Sequence, residues 1–241
     1  MPAHFAEEHP GFDVSERAPS PWLILLVVLG LAGCQTVERS ILEAHLSADE
    51  LYAHAQVDWQ GAQYQSAEKY CRAALRKQPN HYGALTLLAE TDVQIASISM
   101  GNNQPSATKR PKDASDISSD YNIQLTRKEE SARLDEAVQE YREAAQVQPT
   151  KPEPHHGLAR VWELQGDREQ AIAEYREAVR LNDPRTPAIH VSVGMLLKAK
   201  GDSSGALAEF EEALRVMPNY PSFTHSPVFK RSVERYIEQT R

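Results

Sequence analysis

Residues 152–218 read PEPHHGLARVWELQGDREQAIAEYREAVRLNDPRTPAIHVSVGMLLKAKGDSSGALAEFEEALRVMP. Cut after Thr186, the stretch falls into two units that agree at spaced positions. Gly166 matches Gly201, Asp167 matches Asp202, Ala171 matches Ala206, Tyr175 matches Phe210 and Ala178 matches Ala213, each 35 residues apart. One unit upstream the step is 34, from Ala137 to Ala171, Tyr141 to Tyr175 and Ala144 to Ala178. A fixed period of this length marks stacked supersecondary units, each burying its apolar face on its neighbours.

Each unit reads as two amphipathic helices joined by a tight turn. In the first helix, Leu158, Ala159 and Trp162, then Val193, Gly194 and Leu197, follow i, i+1, i+4 spacing. In the second, Ala171, Tyr175 and Ala178 share one face. Gly166-Asp167 and Gly201-Asp202 punctuate the middle: Gly suits the left-handed residue that closes a helix, and Asp suits the N-cap of the next. A small residue where helices cross lets the partner backbone approach, and the aromatic one turn away fills the gap beside it. These slots resemble the signature of the tetratricopeptide repeat (TPR). They are His155, Leu158-Ala159, Trp162, Gly166-Asp167, Ala171, Tyr175, Ala178 and Pro184, then His190, Val193-Gly194, Leu197, Gly201-Asp202, Ala206, Phe210, Ala213 and Pro218. His in the first slot departs from the family pattern. The resemblance implies an all-α TPR solenoid, a right-handed superhelix of helix-turn-helix repeats.

Two further repeats lie upstream. Ser47-Ala48-Asp49-Glu50 is a capping box that opens a helix to about Gln60. Leu51 and Ala55 fit that helix, but His54 and Asp58 stand where apolar residues are expected, and the turn around Gly61 is off by one. Ala67, Cys71, Ala74 and Pro79 fill the second-helix slots, which makes Cys71 a buried, inert thiol. Repeat two begins with Leu85, Leu88 and Ala89, yet Ala67 to Ala137 is 70 residues where one period is 34. The polar stretch GNNQPSATKRPKDASDISSDYN, residues 101–122, reads as a long mobile loop, with the second helix starting near Ser131 and carrying Leu134, Ala137, Tyr141 and Ala144. The TPR domain is thus placed at 47–220, with repeats at about 48–81, 82–151 (insertion 100–130), 152–186 and 187–220. Thr150-Lys151-Pro152-Glu153 reads as a second capping box, and Thr186-Pro187 as an N-cap with Pro at N1. Ser226 is set to cap a last helix in 221–241, whose Phe229, Val233, Tyr236 and Ile237 cover the open face of repeat four.

Trp22 to Gly33, WLILLVVLGLAG, is an unbroken run of twelve apolar residues. A bilayer span needs about 20, so the run suits the apolar core of a secretory signal. It ends in Leu31-Ala32-Gly33-Cys34, which resembles a bacterial lipobox. The resemblance implies removal of residues 1–33, lipidation of Cys34 with diacylglycerol and a further acyl chain such as palmitate, and a tether over 34–46. Gln35 after the Cys implies sorting to the outer membrane, facing the periplasm. The segment before Trp22 has Arg17 as its one Lys or Arg, where such signals are normally basic.

The net charge is −8, of which −3 precedes Cys34, so the chain lacks the basic footprint that nucleic acid demands. Two cysteines are too few for a disulfide framework. The sequence contains no G-x-S-x-G, H-E-x-x-H, phosphate-binding Gly loop or C-x-x-C, so no catalytic residue, metal ligand or cofactor is assigned. His155 and His156 point about 100° apart on a helix, and His155 and His190 share a packing slot. Glu140, Glu143, Glu174, Glu177, Glu209, Glu211 and Glu212 read as solvated outer faces.

By TPR analogy, the second, fifth, ninth and twelfth positions of each repeat line a concave groove. In repeat two these are Gly83, Thr86, Glu90 and Val93. Repeat three supplies Glu153, His156, Arg160 and Glu163, and repeat four Ala188, Val191, Met195 and Lys198. The Lys/Asn clamp of chaperone-tail-binding members is missing. Val191 and Met195 near Arg160 suit a peptide with an acidic group beside an apolar anchor. The implied function is a non-catalytic scaffold lipoprotein that binds a protein or peptide partner during envelope assembly. Its architecture is similar to that of pilotin-like and tight-adherence pilus lipoproteins. The alternative is an adaptor for murein-processing or polysaccharide-secretion machinery.

Overall fold

A computed structural model describes residues 45–102 and 114–241, with side chains for 45–101 and 127–241. Among the described residues all regular structure is helical. Residues Ser47–Arg241 form one compact unit. Helix α1 (Ala48–Gln60) pairs with α2 (Tyr64–Lys77), and α3 (Tyr82–Asn102) pairs with α4 (Ala114–Val147). Next come α5 (Glu153–Gln165) with α6 (Arg168–Arg180), and α7 (Thr186–Ala199) with α8 (Ser203–Val216). A 3-10 turn (Met217–Asn219) and the short α9 (Pro221–Thr224) lead to α10 (Pro227–Glu238), which lies on α8. Each second helix packs on the first helix of the next pair, and α1–α3 and α3–α5 touch side by side. The first helices therefore make one wall and the second helices the other.

The core is a chain of linked clusters, each spanning one repeat and the start of the next. Tyr141 packs with Leu134, Leu158 and Val161, and Tyr175 packs with Ala159, Ile189 and Val193. Phe210 packs with Val233 and Ile237 of α10, stacking on Tyr236 at 5.6 Å. Tyr175 and Phe210, the matched aromatics of the repeat, are 2% and 0% exposed. The small residues do the complementary work: a Cβ on Gly157 would strike the Tyr141 ring, and one on Gly194 the Phe210 ring. Cys71 is fully buried, and burial, then the Glu140 and Asp92 carboxylates, pushes its thiol up to about 12. At neutral pH it is an unreactive thiol.

The caps explain where the helices stop. Gly166 (φ 82°) and Gly201 (φ 86°) are left-handed, and Asp167 and Asp202 accept the amides of Gln170 and Gly205. Ser47 and Glu50 form the full capping box, and Ser226 Oγ accepts from the Phe229 amide. Two expected caps do not form. The N-cap of α5 is Pro152, with no side-chain bond, so the box at Thr150 is absent. Thr186 is already helical, and its hydroxyl donates back to the Asp183 carbonyl at 2.6 Å.

Repeat two departs most from the expected pattern. The second helix begins at Ala114, not near Ser131, so 114–130 of the supposed loop is helix; residues 103–113 lie outside the described residues. The cause is visible in three slots. Ala96 stands where repeat three has Gly166, so α3 has no left-handed stop and runs on to Asn102. Arg133 stands where Asp167 would cap, and Asp92 where Trp162 would pack. Arg133 reaches Asp92 instead, whose side chain is fully buried, and Glu68 and Arg72 complete the cluster.

Candidate functional site

The wall of first helices presents the groove positions except Val93, which is buried in the core with Leu134 and Tyr141, and most of their charges already have partners inside the protein. Glu90 on α3 faces Arg160 on α5 at 3.8 Å, both about four-tenths exposed. Glu153 accepts from the Tyr82 hydroxyl at 3.2 Å, and Glu163 from the Tyr175 hydroxyl at 2.5 Å. His156 lies edge-on to the Tyr175 ring at 5.7 Å. Burial first, and the Arg185 and Arg160 guanidinium groups after it, lower its pKa to about 4, so it is neutral at physiological pH. Arg185 grips the buried Asp183 through two bonds of 2.8 and 2.7 Å. Arg160, to which the sequence reading gives the partner's acidic group, thus spends part of its charge on Glu90.

At repeat four the wall changes character. Lys198 donates to the Gln239 carbonyl and the Thr240 hydroxyl, both at 3.1 Å, so the end of the chain closes over it. Val191 packs against the Phe210–Val233 cluster, while Met195 stays 44% exposed.

Repeat one supplies a part of the wall that the sequence reading leaves out. The positions 34 residues before Gly83, Thr86, Glu90 and Val93 are Asp49, Tyr52, Gln56 and Trp59. Three of these, with Thr86, Leu87 and Glu90, line a cavity of about 270 Å³ between α1 and α3. Gln56 donates to the Tyr52 hydroxyl at 2.8 Å, and the Tyr52 ring lies over Gly83, where a side chain would collide with it. The indole N–H of Trp59 is buried with no acceptor among the described residues. Asp49, the fourth of these positions, meets His81 Nε2 at 2.9 Å; the Ala84 amide donates to His81 Nδ1, which leaves the proton on Nε2 for Asp49. The repeat period, applied to the groove positions that the TPR resemblance implies, is enough to find these residues. The signal is masked because the core slots of α1, His54 and Asp58, are weak, whereas its groove slots are rich.

The histidine pair reads differently once folded. His155 Nδ1 meets Glu174 Oε2, and His190 Nδ1 meets Glu209 Oε2, each at 2.7 Å. Glu174 and Glu209 are therefore not plain solvated positions; they tie the two helices of a repeat together. Among the described residues no cluster of three metal-ligating side chains occurs. Cys34, the expected lipidation site, lies outside the described residues.

Residues 159–222 match the family model for the tetratricopeptide repeat. A stretch of 70 residues is 31% identical to tetratricopeptide repeat protein 36 of Caenorhabditis briggsae, covering 29% of this chain and 39% of that protein. Among solved structures, a thermophilic TPR protein of Thermus thermophilus superposes with a TM-score of 0.54 at 20% identity, over 84% of this chain and 86% of that one. A MamA protein superposes with a TM-score of 0.52 at 12% identity, over 80% and 85%. Across its described residues the chain has an all-α TPR solenoid fold of four helix pairs, with Tyr141, Tyr175 and Phe210 and the small residues beside them buried in register in the last three, and residues 159–222 carry the match to the tetratricopeptide repeat.

Proposed function

We propose that this chain is a non-catalytic scaffold that holds a segment of a partner protein along its wall of first helices. The observation that carries this is the wall itself. Its groove positions gather aromatic and carboxylate groups around an open cavity, with the Arg160 guanidinium near Glu90, whereas the aromatic slots of the second helices are spent on the core. Such a surface binds by contact and offers no nucleophile paired with a base. The proposal extends to location. The run Trp22–Gly33 followed by Cys34 supports a lipid anchor on the periplasmic side of a bacterial envelope, with a role in assembling an envelope machine such as a pilus or secretin.

Two measurements test it. Mass spectrometry of the mature protein should find Cys34 as a lipidated N-terminus; an unmodified Cys34 still joined to Gly33 ends the anchor. Affinity capture from envelopes should lose a specific partner in the Arg160→Glu, Met195→Glu double variant while its melting curve stays close to that of the parent. Unchanged capture would count against the groove.

A further inference from the structure

We infer that the cavity between α1 and α3 receives a lysine or arginine side chain of the bound segment; this rests on the scaffold reading above and specifies the partner's chemistry. The cavity has aromatic walls, Tyr52 and Trp59, and an aliphatic wall, Leu87. Its one formally charged lining residue is Glu90, a carboxylate. An aliphatic stem ending in a cation matches that set. The methylenes cover Leu87 and the rings, and the charged head meets Glu90 within reach of the aromatic faces. Gln56 and Thr86 spend donors on the Tyr52 hydroxyl and on the Tyr82 and Gly83 carbonyls, which leaves their oxygens to an incoming donor, while Trp59 adds an indole N–H unpaired among the described residues and Gln60 a side-chain amide to the lining.

The surrounding wall has the matching sign. Across the groove positions of repeats one to three, Asp49, Glu90, Glu153 and Glu163 stand against Arg160 alone, with His156 held neutral. That balance of −3 steers a basic segment toward the wall and repels an acidic one. Arg160 approaches Glu90 from α5 at 3.8 Å, longer than a hydrogen bond, which leaves the carboxylate able to take a second donor.

The test uses the full chain labelled with ¹⁵N, with the Trp59 indole N–H resonance assigned through Trp59→Phe. It is titrated with the N-acetyl, C-methylamide forms of lysine, arginine, norleucine and glutamate. Lysine and arginine should shift the Trp59 resonance saturably, and norleucine and glutamate should not. Glu90→Gln should weaken the lysine titration at least tenfold at low salt, with an unchanged melting curve. An unmoved Trp59 resonance, or an equal response to norleucine, overturns the inference. The scaffold reading fails separately: if the Arg160→Glu, Met195→Glu variant loses its envelope partner while Glu90→Gln keeps it, the groove stands and the cation pocket falls.

Discussion

Nδ1 of His155 on α5 stands 2.7 Å from Oε2 of Glu174 on α6, and 35 residues later His190 meets Glu209 at the same distance. In both repeats the partners are 19 residues apart, so one polar contact is copied with the period of the fold. Each pair is mostly shielded, and each bridges the two helices that a repeat must hold together. A double-mutant cycle on His190→Leu and Glu209→Gln, followed by urea unfolding, should give a coupling of about 1 kcal/mol. A coupling near zero would reduce the pair to a surface contact.

The same slot explains an isolated carboxylate in repeat two. Glu140 is 34 residues before Glu174, but the position matching His155 is Leu85. Its Oε2 is buried with no hydrogen-bond partner among the described residues. Burial, and the Asp92 carboxylate after it, raise its pKa from 4.5 to about 9. The folded state therefore keeps a proton that the unfolded chain gives up above 4.5, and stability falls as pH rises from about 5 toward 9. Asp92, raised to about 6 chiefly by burial, acts in the same direction at lower pH, while His156 opposes it between about 6.5 and 4. Glu140→Gln isolates the effect. Its unfolding free energy relative to the parent should grow by more than about 1 kcal/mol between about pH 5 and about pH 8. A difference that does not change with pH would contradict the assignment.

Arg133 and Asp92 mark where the insertion was accommodated. Removing the cation alone with Arg133→Ala leaves a fully buried carboxylate with only Arg72 at 3.8 Å, and should cost about 3 kcal/mol in chemical unfolding. Asp92→Leu combined with Arg133→Leu restores an apolar residue to the slot of Trp162 and Leu197, and should recover most of that loss. If the double variant is no better than the single one, the ion pair is not a substitute for the missing contact.

The regular repeats are legible in the sequence because period, small-residue slots and Gly-Asp turns all point the same way over 152–218. The groove positions Glu90, Glu153, His156, Arg160 and Glu163 follow from that register together with the TPR resemblance, but their pairings do not. Tyr82 reaching Glu153 depends on how one repeat stacks on the next, and Tyr175 reaching Glu163 on how α5 crosses α6, neither of which linear spacing encodes. The part of the expected loop from Ala114 to Glu130 is helical for a different reason. Its polar composition signals poor burial, yet α4 there extends a helix nucleated by the packed part, Leu134 to Ala144, and each added residue gains a backbone bond.

The irregular turn of repeat one gives a simpler test. Gly61 sits at φ −78°, where any residue fits, while Ala62 carries the left-handed conformation at φ 57°. The glycine is one residue too early. Ala62→Gly should therefore stabilise the first helix pair by about 0.5–1 kcal/mol, because the left-handed strain exceeds the added chain entropy. Gly61→Ala should be tolerated. The reverse order in thermal unfolding would mean that the turn is held in another conformation.

The partner is expected along the first helices and not on the second. A photoreactive amino acid placed singly at Thr86, Gln56 or Met195, and for contrast at Val147 or Glu211, tests this in living cells. One shared cross-linked partner is expected from the first three positions and none from the last two. Equal cross-linking from both walls, or adducts from Val147 and Glu211 alone, would contradict it.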